Sequence, residues 1–277
     1  MIEITTILGY LAVIVAVVLG ISFGEHGLDF TLLKNFFDLP SIFITFGGTF
    51  FALMASFPIS AFKRIPSHIG QVLKKSKKDP YEYIEILTEL SKEARKKGLL
   101  ALEDKVAEID DAFLKESVLL IVDAIEPDKL KLWFEQKLDF IRMRNQEELN
   151  LYRIGAAYGP AFGLIGTLIG LVNMLKAMNL DNGPEALGVS MSVALITTFY
   201  GAIIANCFFT PLANKLEIVQ EQEMLYKEMI VEGVISIKEG ENPKYIQEKL
   251  LNFLEQKREK KSKKGESDAG SSPEIEA

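Results

Sequence analysis

The chain has 277 residues, 48% of them apolar and 25% charged, a mixture that must be divided between long apolar runs and strongly charged stretches. A formal net charge of -7 argues against a nucleic-acid binder. The single cysteine, Cys207, lies inside an apolar run, which excludes disulfides and thiolate metal sites.

The first predicted element is the apolar run from Ile4 to Phe23. It starts almost at Met1 without a basic flank and with no small-residue cleavage site followed by a soluble domain, so it reads as an uncleaved membrane helix. After the short polar piece from Gly24 to Leu39, a second run from Pro40 to Phe62 opens with proline at a helix start and contains Gly47 and Gly48. Pro58 is expected to bend its end.

A large charged loop follows, from Lys63 to Arg153. Asp79-Pro80-Tyr81-Glu82 supplies an N-cap, a proline at the first helical position and an acid at the third. Behind it Ile84, Leu87, Leu90 and Ala94 recur at helical spacing. Arg95, Lys96 and Lys97 occupy the last turn, where they oppose the negative end of the helix dipole, and Gly98 ends the helix. The next helix shows Leu102, Val106 and Ile109 as its apolar face, with Glu103 on the outside. Pro127 opens another, with Leu130, Phe134, Leu138 and Ile141 on one side and no break before Gly155, so one rod is expected to enter the membrane.

The third and fourth apolar runs, Ile154 to Leu175 and Gly188 to Pro211, contain no Lys, Arg, Asp or Glu. About 20 helical residues at about 1.5 Å each span the ~30 Å hydrocarbon core, so both are predicted to cross it. Gly155, Gly159, Gly163, Gly166 and Gly170 form a small-residue stripe on the third run. Ser190, Ala194, Thr198 and Ala202 form one on the fourth. Lipid does not drive apolar helices together, so such faces, which let backbones approach closely, are read as packing faces. Thr167, Thr197, Thr198 and Asn206 add polar content. A threonine can return its hydroxyl to a carbonyl one turn back, so each has a purely local reading beside that of a polar lining. Pro160 and Pro211 each free a backbone carbonyl, tolerated where a neighbour or water satisfies it, or simply bend the helix. An ion path usually carries an ionisable side chain at mid-depth, and these runs have none.

Past Pro211 the fourth helix is expected to continue without a breaker to Gly233, so that rods leaving the membrane could carry a movement outward. A further helix is predicted from Pro243 to about Arg258. The remaining tail has no apolar periodicity and is expected to be disordered. No Gly-rich phosphate loop is present, and His26 and His68 lie far apart with no ligand spacing. No catalytic residue, metal site or cofactor is therefore predicted. Lys63, Arg64, Lys74, Lys75, Lys77 and Lys78 follow the second run and Arg142, Arg144 and Arg153 precede the third, against Lys34 and Lys176 in the short loops. That bias places the large loop and both termini in the cytoplasm.

The residues then point to a family. Four membrane helices paired around a large loop, ARKKGLLALED in that loop, GPAFGLIGTLIGLV on helix three, and LITTFYGAIIAN followed by TPLAN on helix four resemble the MotA/PomA family, the A subunits of the bacterial flagellar stator. The resemblance runs from Gly9 to roughly Glu239. It implies a homo-oligomeric ring of five A subunits around two copies of a MotB- or PomB-type single-span partner, whose membrane helix bears the ion-binding aspartate. It further implies that Pro160, Thr167, Thr197, Thr198 and Pro211 line the ion path. By the same resemblance Arg95 and Glu103 contact the rotor's switch-complex protein, and the location is the bacterial inner membrane. Protons are the expected coupling ion and sodium the alternative. Rival readings are an ExbB/TolQ-like energy-transducing subunit, whose relatives resemble three-helix chains, and a non-conducting membrane scaffold.

The expected architecture is thus all-α, a polytopic membrane protein with four transmembrane helices and a helical cytoplasmic domain. Residues 1–62 hold transmembrane helices 1 and 2, 63–153 the cytoplasmic loop, 154–211 helices 3 and 4, 212–258 a helical cytoplasmic tail and 259–277 a disordered end.

Overall fold

The computed structural model describes residues 3–24, 27–74, 78–123, 125–178 and 183–255, with backbone alone at 24 and 183–186. The expected disordered end at 259–277, and His26, lie outside the described residues. The chain divides into two compact units, residues 1–76 with 144–220 and residues 77–143 with 221–277.

The first unit carries the membrane helices. Helix α1 (Ile4–Ser22) leads into a two-residue antiparallel ladder of Phe23–Gly24 with Gly27–Leu28 and then a 3-10 turn, Phe30–Phe36, capped by Asp29. Helix α2 (Leu39–Ser56) starts at an Asp38 cap with proline in its first turn and contains a wide π-turn at Phe43–Gly47. The second apolar run does not remain one helix to Phe62. It ends at Ser56, Phe57 and Pro58 are extended, and Pro58 caps a separate helix, α3 (Ile59–Leu73). The reason is local, because the proline ring disfavours helical backbone at the residue before it and offers no N–H to continue the ladder. Helix α3 buries His68 and Val72. Val72, with Phe62 and Ile65 packed alongside, joins a cluster with Leu149, Tyr152, Leu212 and Leu216.

The second unit has its own core. Helix α4 (Pro80–Lys97) starts at Asp79, whose carboxylate accepts the Tyr81 N–H, and stops at Gly98 with φ 87°. A 3-10 turn, Leu99–Ala101, leads to α5 (Leu102–Val106), which ends before Ile109, and then to α6 (Ala112–Val122). Leu87, Leu102, Leu114, Ile121, Phe134, Met229, Val234, Ile246 and Leu250 interlock at the centre of this unit.

Two long helices contribute to both units. Helix α7 (Pro127–Met178) is unbroken over 52 residues. Helix α8 (Gly183–Ile203) passes through a π-turn, Ile204–Phe209, into α9 (Thr210–Lys238). This helix does not end at Gly233. There a glycine lets α9 approach α4, since a Cβ would lie 2.7 Å from Leu87 Cδ1. Residues 243–255 form the last helix, α10. Four helices, Ile4–Ser22, Leu39–Ser56, Pro127–Met178 and Leu187–Lys238, are long and apolar enough to cross a membrane.

Candidate functional site

The hairpin of α7 and α8 is built on glycine. All five stripe glycines of α7 are buried, and each faces α8 or the turn after it. A Cβ on Gly163 would stand 3.0 Å from the Thr197 carbonyl oxygen, one on Gly170 2.7 Å from the Ser190 oxygen, and one on Gly159 3.0 Å from the Gly201 oxygen. Gly155 would meet the Phe209 ring at 2.5 Å, and Gly166 would collide with the Thr197 side chain. Gly159, Gly163 and Gly170 thus lie against backbone, and Gly155 and Gly166 against side chains, close approaches that an added side chain would prop apart.

The facing stripe on α8 differs from the one read at strict four-residue spacing. Ser190, Ala194, Thr197 and Gly201 meet the glycines, while Thr198 and Ala202 are exposed. A helix repeats every 3.6 residues, so a contact line shifts from a step of four to a step of three within two turns. Gly201 was the residue that spacing missed.

This shift separates the threonines. Thr197 is fully buried, and its hydroxyl donates within its own helix to the carbonyls of Val193 at 2.9 Å and Ala194 at 3.0 Å. Its carbonyl accepts from Thr45 in the π-turn of α2 at 3.4 Å. Thr167 and Thr198 instead share a hydroxyl contact of 2.6 Å across the two helices. Thr167 also reaches the carbonyls of Gly163 and Ala194, each at 3.1 Å, and Thr198 reaches Ala194 at 3.2 Å. A carbonyl has two lone pairs, and Ala194 is offered three hydroxyls besides its helical N–H. The pair Thr167/Thr198 therefore holds oxygens that can turn outward.

Thr198, Ala202 and Asn206 follow one another at four-residue steps on the exposed side of α8 and the turn after it, and Pro160 is exposed on α7. The Asn206 carboxamide donates to the Ala202 carbonyl at 3.0 Å. The π-turn Ile204–Phe209 lies immediately before Pro211. Proline lacks an N–H and its ring displaces the carbonyl four residues earlier, that of Cys207, so the helix widens by one residue to accommodate it.

In the second unit, Arg95 in the last turn of α4 and Glu103 in the first turn of α5 are both exposed, separated by the tight turn at Gly98. Neighbours are internally paired, Glu93 with Lys97 at 2.6 Å and Lys105 with Glu108 at 2.9 Å. The Lys97 hydrogen bond holds the Glu93 carboxyl below its usual range, against some desolvation. Arg95 and Glu103, like Lys96 and Asp104, make no ion pair among the described residues. Behind this loop, Asp111 organises the unit. It caps α6 by accepting the Phe113 and Leu114 N–H groups, each at 3.0 Å, and also accepts from Lys78 and the Tyr83 hydroxyl, each at 2.8 Å.

Membrane-crossing helices, a hairpin locked by glycine with an uncharged Thr/Pro face, and a charged helical unit together define a multi-pass helical membrane protein. The sequence model of the MotA/TolQ/ExbB proton channel family matches residues 105–229. Motility protein A of Borreliella burgdorferi is 43% identical over 239 residues, covering 86% of this chain and 89% of that one. Chemotaxis protein PomA of Vibrio alginolyticus is 35% identical, covering 89% and 91%. Among solved structures, the flagellar MotAB stator complex from Bacillus subtilis superposes with a TM-score of 0.80 at 30% identity, covering 94% of this chain and 99% of that one. C. jejuni MotAB gives 0.77 at 26% identity, covering 91% and 95%. The chain belongs to the MotA/TolQ/ExbB proton channel family, in its MotA/PomA branch.

Proposed function

We propose that this chain is the A-type subunit of a bacterial flagellar stator, assembled as a pentameric ring around a MotB- or PomB-type partner in the cytoplasmic membrane. Ions bind and leave the aspartate of the partner's single membrane helix, and the ring turns about that partner. One charge crossing the membrane releases about 2.3 kcal/mol per 100 mV, and the ring converts this to torque. The observation that carries the reading is the division of labour on the hairpin: glycine on the packed side, and Pro160, Thr167, Thr198 and Asn206 on a side that carries no ionisable group. Such a surface offers oxygens to an ion and leaves the titrating carboxylate to another chain.

On this reading Thr167 and Thr198 line the path. Thr197 supports it from behind by packing against Gly166, and Pro160 and Pro211 set the helix bends that aim it. Arg95 and Glu103, unpaired within the described residues, meet complementary charges on the rotor's switch-complex protein. Exposed pairs contribute only about 0–1 kcal/mol each, which suits contacts that must exchange at every step. The Lys/Arg bias supports cytoplasmic termini and a cytoplasmic second unit. Protons are the proposed coupling ion, because hydroxyls paired with one another suit a water wire; sodium would need a fuller oxygen shell.

The test is reconstitution of the chain in vesicles with and without a partner bearing a membrane aspartate. Ion flux is expected with the partner alone present beside it, and a robust current from the purified chain by itself would overturn the reading. Varying sodium and the pH gradient separately then identifies the ion.

A further inference from the structure

Helix α3 is held by a buried polar cluster that neither the ion path nor the rotor-contact loop uses. His68 is 4% exposed and Tyr152 0%. The imidazole Nδ1 lies 2.9 Å from the Tyr152 hydroxyl, and Nε2 lies 3.4 Å from Glu148 Oε2. The other oxygen of Glu148 accepts from Arg64 at 3.0 Å, and Gln220 donates to Oε2 at 3.2 Å. Helix α3 thus supplies Arg64 and His68, α7 supplies Glu148 and Tyr152, and α9 supplies Gln220, with Val72, Leu149 and Leu216 as the apolar surround.

The geometry suits one protonation state. A neutral imidazole with its proton on Nε2 donates to Glu148 and accepts at Nδ1 from the tyrosine O–H, so both ring nitrogens and the hydroxyl proton are satisfied. A second proton, on Nδ1, makes that nitrogen a donor, and the tyrosine O–H then has no other acceptor among the described residues. Burial favours the neutral ring and holds His68 below the ordinary imidazole range; Glu148 opposes this and Arg64 reinforces it. Of the other charges on the packed elements, Lys215 pairs with Glu3 at 2.5 Å and Arg153 with Glu217 at 2.8 Å, while Lys63, Arg144 and Glu147 are exposed to solvent.

We propose that His68, Glu148 and Tyr152 form an acid-released latch that keeps α3 docked on α7 and α9 while the imidazole is neutral. Its strength is complete above the ordinary imidazole pKa of 6.5. It falls as pH drops from there toward the depressed docked value, because the released state binds the extra proton, and it is constant below. On the stator reading, acid on that side of the membrane would then loosen α3 and slow the motor; the latch itself does not depend on that reading.

The experiment follows amide exchange of residues 59–73 in the full chain assembled with its aspartate-bearing partner, from about pH 8 to about pH 5 and corrected for intrinsic exchange. Opening of α3 is expected to grow by up to about tenfold per pH unit below 6.5 and then to level off, while α1 amides stay unchanged. His68→Gln reproduces the neutral ring, accepting from Tyr152 and donating to Glu148, and should flatten the profile. Tyr152→Phe removes the hydroxyl proton that acid would orphan, and should shrink the acid step. A parent profile flat across this range would overturn the latch, and so would an unchanged step in His68→Gln. If that variant fails to assemble, the parent profile decides. Acid release of α3 in a complex that conducts no ions would uphold the latch and remove the stator reading.

Discussion

At the scale of single residues, the close approaches on the hairpin decide which substitutions the chain tolerates. Gly201→Ala places a Cβ 2.6 Å from the Gly159 carbonyl oxygen, and backbone must move to make room. A loss of about 1–3 kcal/mol is expected, read as a lower melting point of the assembled complex. Gly188→Ala, with nothing within 4 Å, should leave it unchanged. The two adjacent threonines allow the proposed ion path to be tested apart from packing. Thr198→Val removes an exposed hydroxyl and should abolish motility with normal assembly. Thr197→Val removes a buried one bonded to its own helix and should chiefly alter assembly. Motility and native-gel size measured together distinguish them, and a Thr198→Val strain that swims like its parent would withdraw that face from the ion path.

At the scale of elements, the turn between α4 and α5 and the cap of α6 hold Arg95 and Glu103, the proposed rotor-contact residues, in place. Gly98 has φ 87°, a conformation side chains with a Cβ adopt at a cost, so Gly98→Ala should destabilise the turn by about 1 kcal/mol although no neighbouring atom blocks it. Asp111→Ala removes the cap and two side-chain partners together, and a loss of about 2 kcal/mol or more is expected, read as faster amide exchange in α6. Burial alone would raise the Asp111 carboxyl, but bonds from Lys78, the Leu114 N–H and Tyr83 outweigh it and hold it below its ordinary 3.8. The sign follows: its stabilisation is complete above that value and is lost as pH falls through the depressed one. Asp111→Asn should retain most of the cap and flatten this acid limb.

At the scale of the whole molecule, torque requires rotor contact and ring integrity to be separable. Reversing Arg95 to Glu or Glu103 to Lys changes exposed side chains that make no ion pair among the described residues. Motor torque should fall while insertion and ring assembly persist, as measured by bead rotation beside the size of the purified complex. Loss of assembly in either variant would return both residues to a helix-end role. A rotor protein carrying the opposite charge reversal should restore torque in part.

Much of this was legible in the sequence. Runs free of charge and long enough for a bilayer define membrane helices by length and solvation alone, which is why four crossings could be counted from composition. The α4 cap and its Gly98 stop are local signals written in adjacent residues, and the stripe on α7 is visible because glycine repeats there at four-residue steps. Sequence could not assign the facing stripe on α8, where the 3.6-residue repeat moves the contact line to Thr197 and Gly201 and only the packed partner shows where the slip occurs. Nor could it place π-turns, which answer to Pro211 and to packing around Thr45. His68 read as an isolated histidine because its partners stand 80 and 84 positions away on another helix. Local chemistry and hydrophobic length are properties of neighbouring residues, and the chain states them outright. Which face of a helix is packed, and which distant polar groups are buried together, depends on the approach of backbones that only the tertiary structure brings into contact.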